Sequence, residues 1–289
     1  MKHTIPTVQA GNAFYYYTDV EGAWAFYQDI LGFETVADYG FAKIMRVASS
    51  SYLTLVDAEF GMHSIDEPKS VTLAMVTDQV EGWYAYLSES DVKIHRPYNP
   101  REGSNHDGFV ALDPEGYFLE FERFNPHPEN RAVLPLLSGI EPLFSSDGSR
   151  PAELSVRATV IWLYYRDLAS AQRFYEALLG VDLLVDQGWA KVYQVAGSWF
   201  VGLVDGKQGL HQTAEQKCVT VSFFTDNVDG WFARAPRTEG FALRTPEIGD
   251  ESGRVRLFVG YDPEGYFLEW DTFLDVAENK ILLQLLERN

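Results

Sequence analysis

Cysteine is almost absent from this chain: Cys218 is the only one in 289 residues. No internal disulfide can form, and no paired-cysteine metal site can be built. Cys218 precedes an apolar, strand-like run, which makes it a buried structural thiol. Long apolar runs are missing too, since no stretch approaches the roughly 20 residues of a membrane span. The opening MKHTIPTVQAGN lacks the apolar core of a secretory signal, so a cytoplasmic location is expected. Basic residues are scarce, with 23 Lys and Arg against 42 Asp and Glu and a formal net charge of −19. Phosphate backbones and anionic membrane surfaces repel such a polyanion, so neither nucleic acid nor membrane is an expected partner. The acidic residues are spread along the chain and read as a solvated surface. No phosphate-binding glycine loop, dinucleotide fingerprint or nucleophile elbow is present. What is plentiful is aromatic: 15% of the chain is Phe, Trp or Tyr, in runs such as AFYYYTD and VIWLYYRD that can build a core or a stacking pocket.

The string DPEGYFLE occurs twice, from Asp113 and again from Asp262. Asp19 lies 148 positions before Asp167, Asp78 lies 148 before Asp226, and Asp113 lies 149 before Asp262, so one inserted residue separates two copies of a single unit. YGFAKIMRV answers QGWAKVYQV, YLTLVD answers FVGLVD, and ENRAVLPLL answers ENKILLQLL. A domain-sized period excludes solenoids and propellers. Residues 1–138 and 158–289 are the expected domains, joined by a linker at 139–157 rich in Ser, Gly, Pro and charge.

Each half divides again. An apolar strand, an Asp and a short amphipathic helix recur 59 residues apart, from Asp19 to Asp78 and from Asp167 to Asp226. An Asp there is expected to cap the helix N-terminus, and Val20, Trp24, Tyr27 and Leu31 form a helical stripe directed at the core, as do Val80, Trp83, Tyr84 and Leu87. Three short strand candidates follow each first-module helix, giving βαβββ. In DPEG the Asp opens a turn, Pro fixes φ and Gly reverses the chain into a last strand. The tail helices carry leucines at helical spacing and are expected to pack across the halves or on another chain.

Paired βαβββ modules, the FYxxxLG opening (Phe26, Tyr27, Leu31 and Gly32; Phe174, Tyr175, Leu179 and Gly180) and the DPEGYFLE close resemble the vicinal oxygen chelate superfamily. That group includes glyoxalase I, extradiol dioxygenases and bleomycin resistance proteins. The resemblance implies an α+β fold of four βαβββ modules in two tandem glyoxalase-like domains, whose curved mixed sheets form cups. It also implies a divalent metal at the base of each cup, held from the first and last strands of each module. Counting seven residues back from each Asp puts Asn12, Val71, Val160 and Val219 at the first-strand places. Thr54, Glu120, Gly202 and Glu269 take the last-strand places. Valine offers no donor atom and Asn and Thr are poor ligands, so no metal or other cofactor is expected.

Strand alternation puts Phe14 and Tyr16 on the face of Asn12, Trp162 and Tyr164 on that of Val160, Phe118 beside Glu120, and Phe267 beside Glu269. Each half would then hold an aromatic box with a carboxylate at its base, suited to a flat, cationic or hydrogen-bond-donating ligand. An unpartnered Glu there would titrate high enough for acid–base work. His63 and His211 are matched across the repeat and expected at the cup rims, as proton-transfer groups or as loop ties. His106, which Val255 replaces in the second copy, is expected to face the cup of Glu120. Lys43 and Lys191 read as strand lysines reaching solvent or a neighbouring acid, and His95 and His127 as loop residues.

Two readings of function follow. The first is a small-molecule-binding protein similar to the bleomycin-resistance branch, holding an aromatic or cationic compound. The second is a lyase, isomerase or dioxygenase using Glu120 or Glu269 with His63, His211 or His106, or using metal ligands from unusual places. Asn12 and Thr54 make the first half the more polar one and the better candidate. The internal duplication allows a monomer, with a homodimer as the alternative.

Overall fold

The computed structural model of the protein describes residues 5–145 and 148–288. The expected α+β class and four modules are present. Module 1 comprises β1 (Ala10–Tyr17), α1 (Val20–Ala25), a π-helical turn (Phe26–Ile30), β2 (Glu34–Asp38), β3 (Ala42–Ala48) and β4 (Ser51–Asp57). Module 2 comprises β5 (Val71–Val76), α2 (Val80–Glu89), β6 (Ile94–Arg96), β7 (His106–Leu112) and β8 (Phe118–Phe124), followed by α3 (Val133–Ser138). The linker pairs β9 (Leu143–Phe144) with β10 (Ser155–Val156). Module 3 comprises β11 (Ala158–Tyr165), α4 (Leu168–Leu179), β12 (Leu183–Asp186), β13 (Ala190–Gln194) and β14 (Trp199–Asp205). Module 4 comprises β15 (Thr220–Phe224), α5 (Val228–Arg234), β16 (Ala242–Leu243), β17 (Gly249–Glu251), β18 (Val255–Tyr261) and β19 (Phe267–Phe273), with α6 (Lys280–Leu286) as its tail. Among the described residues no helix is long and apolar enough to cross a membrane.

Only two of the four aspartates cap a helix. Asp19 accepts from the Gly22 N–H at 2.9 Å and Asp167 from the Ser170 N–H at 2.9 Å. In modules 2 and 4 the helix starts one residue later, so Gln79 and Asn227 take the cap position and Asp78 pairs with Arg157 instead. The stripes are buried as expected at Val20, Tyr27 and Leu31 and at Val80, Trp83 and Leu87. Trp24 and Tyr84 are only half-buried. The Trp24 indole donates to Thr35 at 2.8 Å and lies against the Lys43 ammonium.

The sheets depart from the expectation that each half makes its own cup. One runs β16-β18-β19-β15-β1-β4-β3-β2, with β17 also on β18, and so joins module 1 to module 4. The other runs β12-β13-β14-β11-β5-β8-β7-β6 and joins module 2 to module 3. Two antiparallel seams carry this exchange: β1 on β15, with Asn12 opposite Ser222, and β5 on β11, with Ala74 opposite Val160. We call the 1+4 surface cup A and the 2+3 surface cup B.

One face of both sheets contributes to a common core that includes Tyr15, Tyr17, Leu73, Met75, Ile161, Tyr165 and Phe223 together with the helices. The opposite faces form the cups, each stopped at one end by a tail helix from the other half. Leu282 and Leu286 of α6 pack on Ala10, Val36 and Tyr52, and Val133 and Leu137 of α3 pack on Ala158, Val185 and Val192. Where the halves meet, Gly11 leaves room for the buried Trp199, because a Cβ there would lie 2.1 Å from the indole. Ser50 and Ser198 exchange backbone-to-hydroxyl bonds of 2.8 and 2.6 Å across the same seam.

Because β1 and β5 find their partners in the opposite half, residues 1–138 produced alone would carry two open strand edges. Sedimentation of that fragment is expected to show self-association, and mixing it with residues 158–289 should restore a one-to-one particle. A well-folded monomeric fragment would contradict the exchanged pairing.

Candidate functional site

Register decides which side chains face the cups. Thr54 lies opposite Phe14 and Glu269 opposite Ser222, so matching Thr54 to Glu269 matches Asn12 to Thr220. In the other sheet Gly202 lies opposite Trp162 and Glu120 opposite Ala74, which matches Val160 to Thr72. The seven-residue count therefore overshoots by one in modules 2 and 4, and a one-residue slip turns a side chain to the other face. Val71 and Val219 belong to the common core. Thr72 and Thr220 face the cups instead, bonding the hydroxyls of Tyr164 and Tyr16 at 2.8 Å each.

The places where the superfamily resemblance puts a metal thus hold Asn12, Thr54, Thr220 and Glu269 in cup A, and Val160, Gly202, Thr72 and Glu120 in cup B. Asn12 is fully buried, with its Oδ1 accepting from Thr54 at 3.0 Å and its Nδ2 lacking a protein partner. Gly202 exists to admit Trp162, since a Cβ would meet the indole at 2.1 Å. Among the described residues no group of three or more His, Cys, Asp or Glu side chains is placed to hold a metal ion. One carboxylate with hydroxyls, an amide and hydrocarbon is a poor donor set for a tightly held divalent ion.

The floors hold a feature that counting missed. Glu269 is followed two residues later by Asp271, and Glu120 by Glu122, so strand alternation puts two acids on one face in each cup. The strings FLEW-D and FLEF-E carried this signal. Glu269 and Asp271 are 4% and 2% exposed, and Ser222 donates to Asp271. Burial, the neighbouring Asp271 charge and a hydrogen bond to it hold the Glu269 proton on well above the usual range. Asp271 is pushed up to about 6 by burial, partly offset by the hydrogen bonds from Glu269 and Ser222. In cup B burial pushes Glu120 up to about 7, with Arg96 pulling the other way. Burial and the Glu120 charge raise Glu122 further, and the Trp162 indole offsets part of that.

Cup A encloses about 190 Å³. Phe14, Tyr16 and Thr54 from module 1 line it with Glu269 and Asp271 from module 4. Phe60, 68% exposed, stands at its mouth. Cup B encloses about 90 Å³, between Trp162 and Tyr164 of module 3 and Arg96, His106, Glu120 and Glu122 of module 2. His106 faces Glu120's cup as expected, its pKa lowered by burial. The first-half box of Phe14, Tyr16, Thr54 and Glu120 is not assembled, because Glu120 belongs to cup B.

His63 is not at a rim. It is buried, with Nδ1 2.6 Å from Glu67 and its ring against Tyr16 and Phe267. Burial lowers its pKa, against the pull of Glu67. His211, half-buried against Phe118 and Tyr164, is pushed down to about 4 by burial. Both rings are packed against aromatic side chains and link modules as wall plates. Phe118 and Phe267 back these histidines. His95 lies not in a loop but in β6, with its ring 4.4 Å from that of Phe118. Lys43 pairs with Glu21 and Asp38, and Lys191 with Asp186, as expected of strand lysines.

A carboxyl whose folded pKa is raised binds more protons in the folded state, so stability falls as pH rises from its ordinary value through its folded one. For Asp271 and Glu120 that window runs from about pH 4 to 7, and Glu122 and Glu269, also raised by burial, act in the same sense. Thermal unfolding should therefore occur at lower temperature at pH 8 than at pH 5.5. Glu122→Gln should raise the unfolding temperature more at pH 8 than at pH 5.5, because it removes a buried carboxyl that must ionise as pH rises. A flat profile in both proteins would refute the assignment of these groups.

Residues 7–121 match the family model described as the Glyoxalase/Bleomycin resistance protein/Dioxygenase superfamily. No curated protein sequence matches the chain. Among solved structures, glyoxalase I from Zea mays is similar at TM-score 0.59 and 16% identity, covering 98% of this chain and 95% of that one. A proposed dioxygenase of Bacillus subtilis subsp. subtilis str. 168 superposes at TM-score 0.66 and 13% identity, covering 93% and 86%. The cppA protein from Streptococcus pneumoniae TIGR4 does so at TM-score 0.51 and 13% identity, covering 93% and 100%. At such identities the likeness is one of fold. Residues 7–121 thus resemble the Glyoxalase/Bleomycin resistance protein/Dioxygenase superfamily in sequence, and the internal repeat carries the same sequence plan into the second half.

Proposed function

We propose that the protein binds a small organic molecule in cup A, a flat compound with a protonated nitrogen, without a metal. The observation that carries this reading is the buried Glu269–Asp271 pair at the base of an apolar, aromatic-walled cavity. A cation seated there faces aromatic rings and an acid pair that already holds one negative charge. Its arrival favours loss of the shared proton, because a positive charge within a few ångströms lowers a carboxyl's pKa. Walls supply shape and apolar contact, and the floor supplies orientation and charge.

Calorimetry with benzylamine and related aryl amines is expected to show binding that releases a proton, seen as a heat that changes with the ionisation enthalpy of the buffer. Glu269→Gln and Asp271→Asn should each weaken it by about tenfold or more, roughly 1.4 kcal/mol or above. Equal affinity for the neutral aryl alcohols, or no change in either variant, would defeat the reading.

A second reading is supported at cup B. Glu120, titrating at about 7, shares its cavity with His106, a pairing suited to moving a proton in a lyase or isomerase. If cup B is catalytic, Glu120→Gln is expected to lower kcat by about 100-fold or more with KM little changed. Unaltered turnover would remove Glu120 as the base.

A further inference from the structure

Each cup carries an arginine that, among the described residues, has no carboxylate within ion-pair distance, although each acts from farther off on the acid of its cup, Arg96 on Glu120 and Arg244 on Glu269. Arg96 and Arg244 are 148 positions apart. Arg96 lies opposite Val110, and the Arg244 N–H donates to the Val259 carbonyl at 2.9 Å, with Val110 and Val259 themselves matched across the repeat. Both side chains are exposed. Arg96 lines the cup B cavity. Arg244 stands at cup A, its guanidinium 5.3 Å from the Phe267 ring centroid and its Nη1 3.4 Å from the Met62 sulfur, and Met62 lines the cavity.

In a chain with 42 acidic and 23 basic residues, Arg46, Arg123, Arg157, Arg166, Arg254 and Arg256 have a carboxylate within ion-pair distance, and of the remaining arginines Arg96 and Arg244 are the two that stand at the cups. Among the described residues Arg96 and Arg244 have none. A guanidinium held over an aromatic face, with its fork unclaimed, is preorganised for a carboxylate or a similar planar anion. The histidines do not take that part, since His63 is held by Glu67 and packed on Phe267, and His211 is packed on Phe118. The acids on each floor repel an anion, so an anionic group can stay only at the mouth.

Resting on the reading of cup A above, we infer that its ligand is amphoteric: an aromatic ring with a basic nitrogen directed to Glu269 and Asp271 and a carboxylate at the opposite end received by Arg244. Arg96 holds the same position at cup B. Arg244 is then a specificity residue, and the cup rejects both plain anions and ligands whose two charges sit at one end.

Titration with benzylamine, 4-(aminomethyl)benzamide and 4-(aminomethyl)benzoate separates the two claims. The native protein is expected to bind the benzoate about tenfold more tightly than the isosteric benzamide, a typical gain for a charge-assisted pair. The difference should shrink with salt. Arg244→Gln should abolish the preference without weakening benzylamine, Arg244→Lys should keep part of it, and Arg96→Gln should leave it intact. Benzylamine binding with no preference for the benzoate over the benzamide overturns the role of Arg244 alone. Failure of benzylamine itself to bind overturns the reading of cup A.

Discussion

Two antiparallel seams, β1 on β15 and β5 on β11, hold everything else in place. Each seam joins strands from different halves of the chain, so each cup is complete only when both halves are folded. The seams are locked by two equivalent tyrosines from the DPEGY segments. Tyr117 donates its hydroxyl to the Cys218 carbonyl at 2.8 Å and accepts from the Tyr16 N–H at 3.0 Å. Tyr266 does the same with the Ser70 carbonyl at 2.8 Å and the Tyr164 N–H at 2.8 Å. One buried hydroxyl thus satisfies two backbone groups in two other modules, and leaving such groups unpaired costs about 1–3 kcal/mol each. The aspartate of each motif anchors its own turn from beneath, with Asp113 accepting from Tyr17 and Tyr117, and Asp262 from Tyr165 and Tyr266.

The same exchange places acids from one half against aromatic walls from the other. Glu269 and Asp271 come from module 4, and Phe14, Tyr16 and Thr54 from module 1. Two carboxyls on one strand face, out of water, cannot both ionise cheaply, so burial and mutual repulsion hold protons on them above the usual carboxylate range. The pair opposes stability above neutral pH, a cost that a packed apolar floor would not carry. Cup B holds a similar pair but is narrowed by Trp162, whose indole fills the space that Gly202 leaves free. The two cups share an ancestry and differ in capacity.

Much of the fold was legible in the chain. The 148-residue repeat, the strand-Asp-helix openings and the DPEG turns announced four βαβββ modules, because turn chemistry and helix periodicity act over a few residues. Strand alternation directs Phe14, Tyr16, Trp162 and Tyr164 to the cups, and the resemblance directs Thr54, Glu120 and Glu269 there; all of these, with His106, line the two cavities, whereas Phe118 and Phe267 pack on His211 and His63 instead. Three things escaped. Asp271 and Glu122 lie one alternation step beyond the last-strand places that the resemblance marks. Thr72 and Thr220 were hidden because the helix in modules 2 and 4 starts one residue later relative to its Asp. His63 and His211 looked like rim residues because a loop position does not reveal that its ring is pressed beneath a wall.

Local sequence determined the modules, their turns and the residue types on each strand face, since those depend on backbone preferences and on a period of two. It could not determine which module lies beside which. Modules 1 and 2 are as alike in pattern as modules 1 and 4, and edge pairing between similar strands is decided by what the completed molecule buries. Trp199 against Gly11, the two tyrosine locks and the tail helices crossing to the other half appear only once the whole chain is closed. The partner of each wall, and hence the contents of each cup, belonged to the tertiary structure alone, because that choice rests on contacts between residues a hundred or more positions apart.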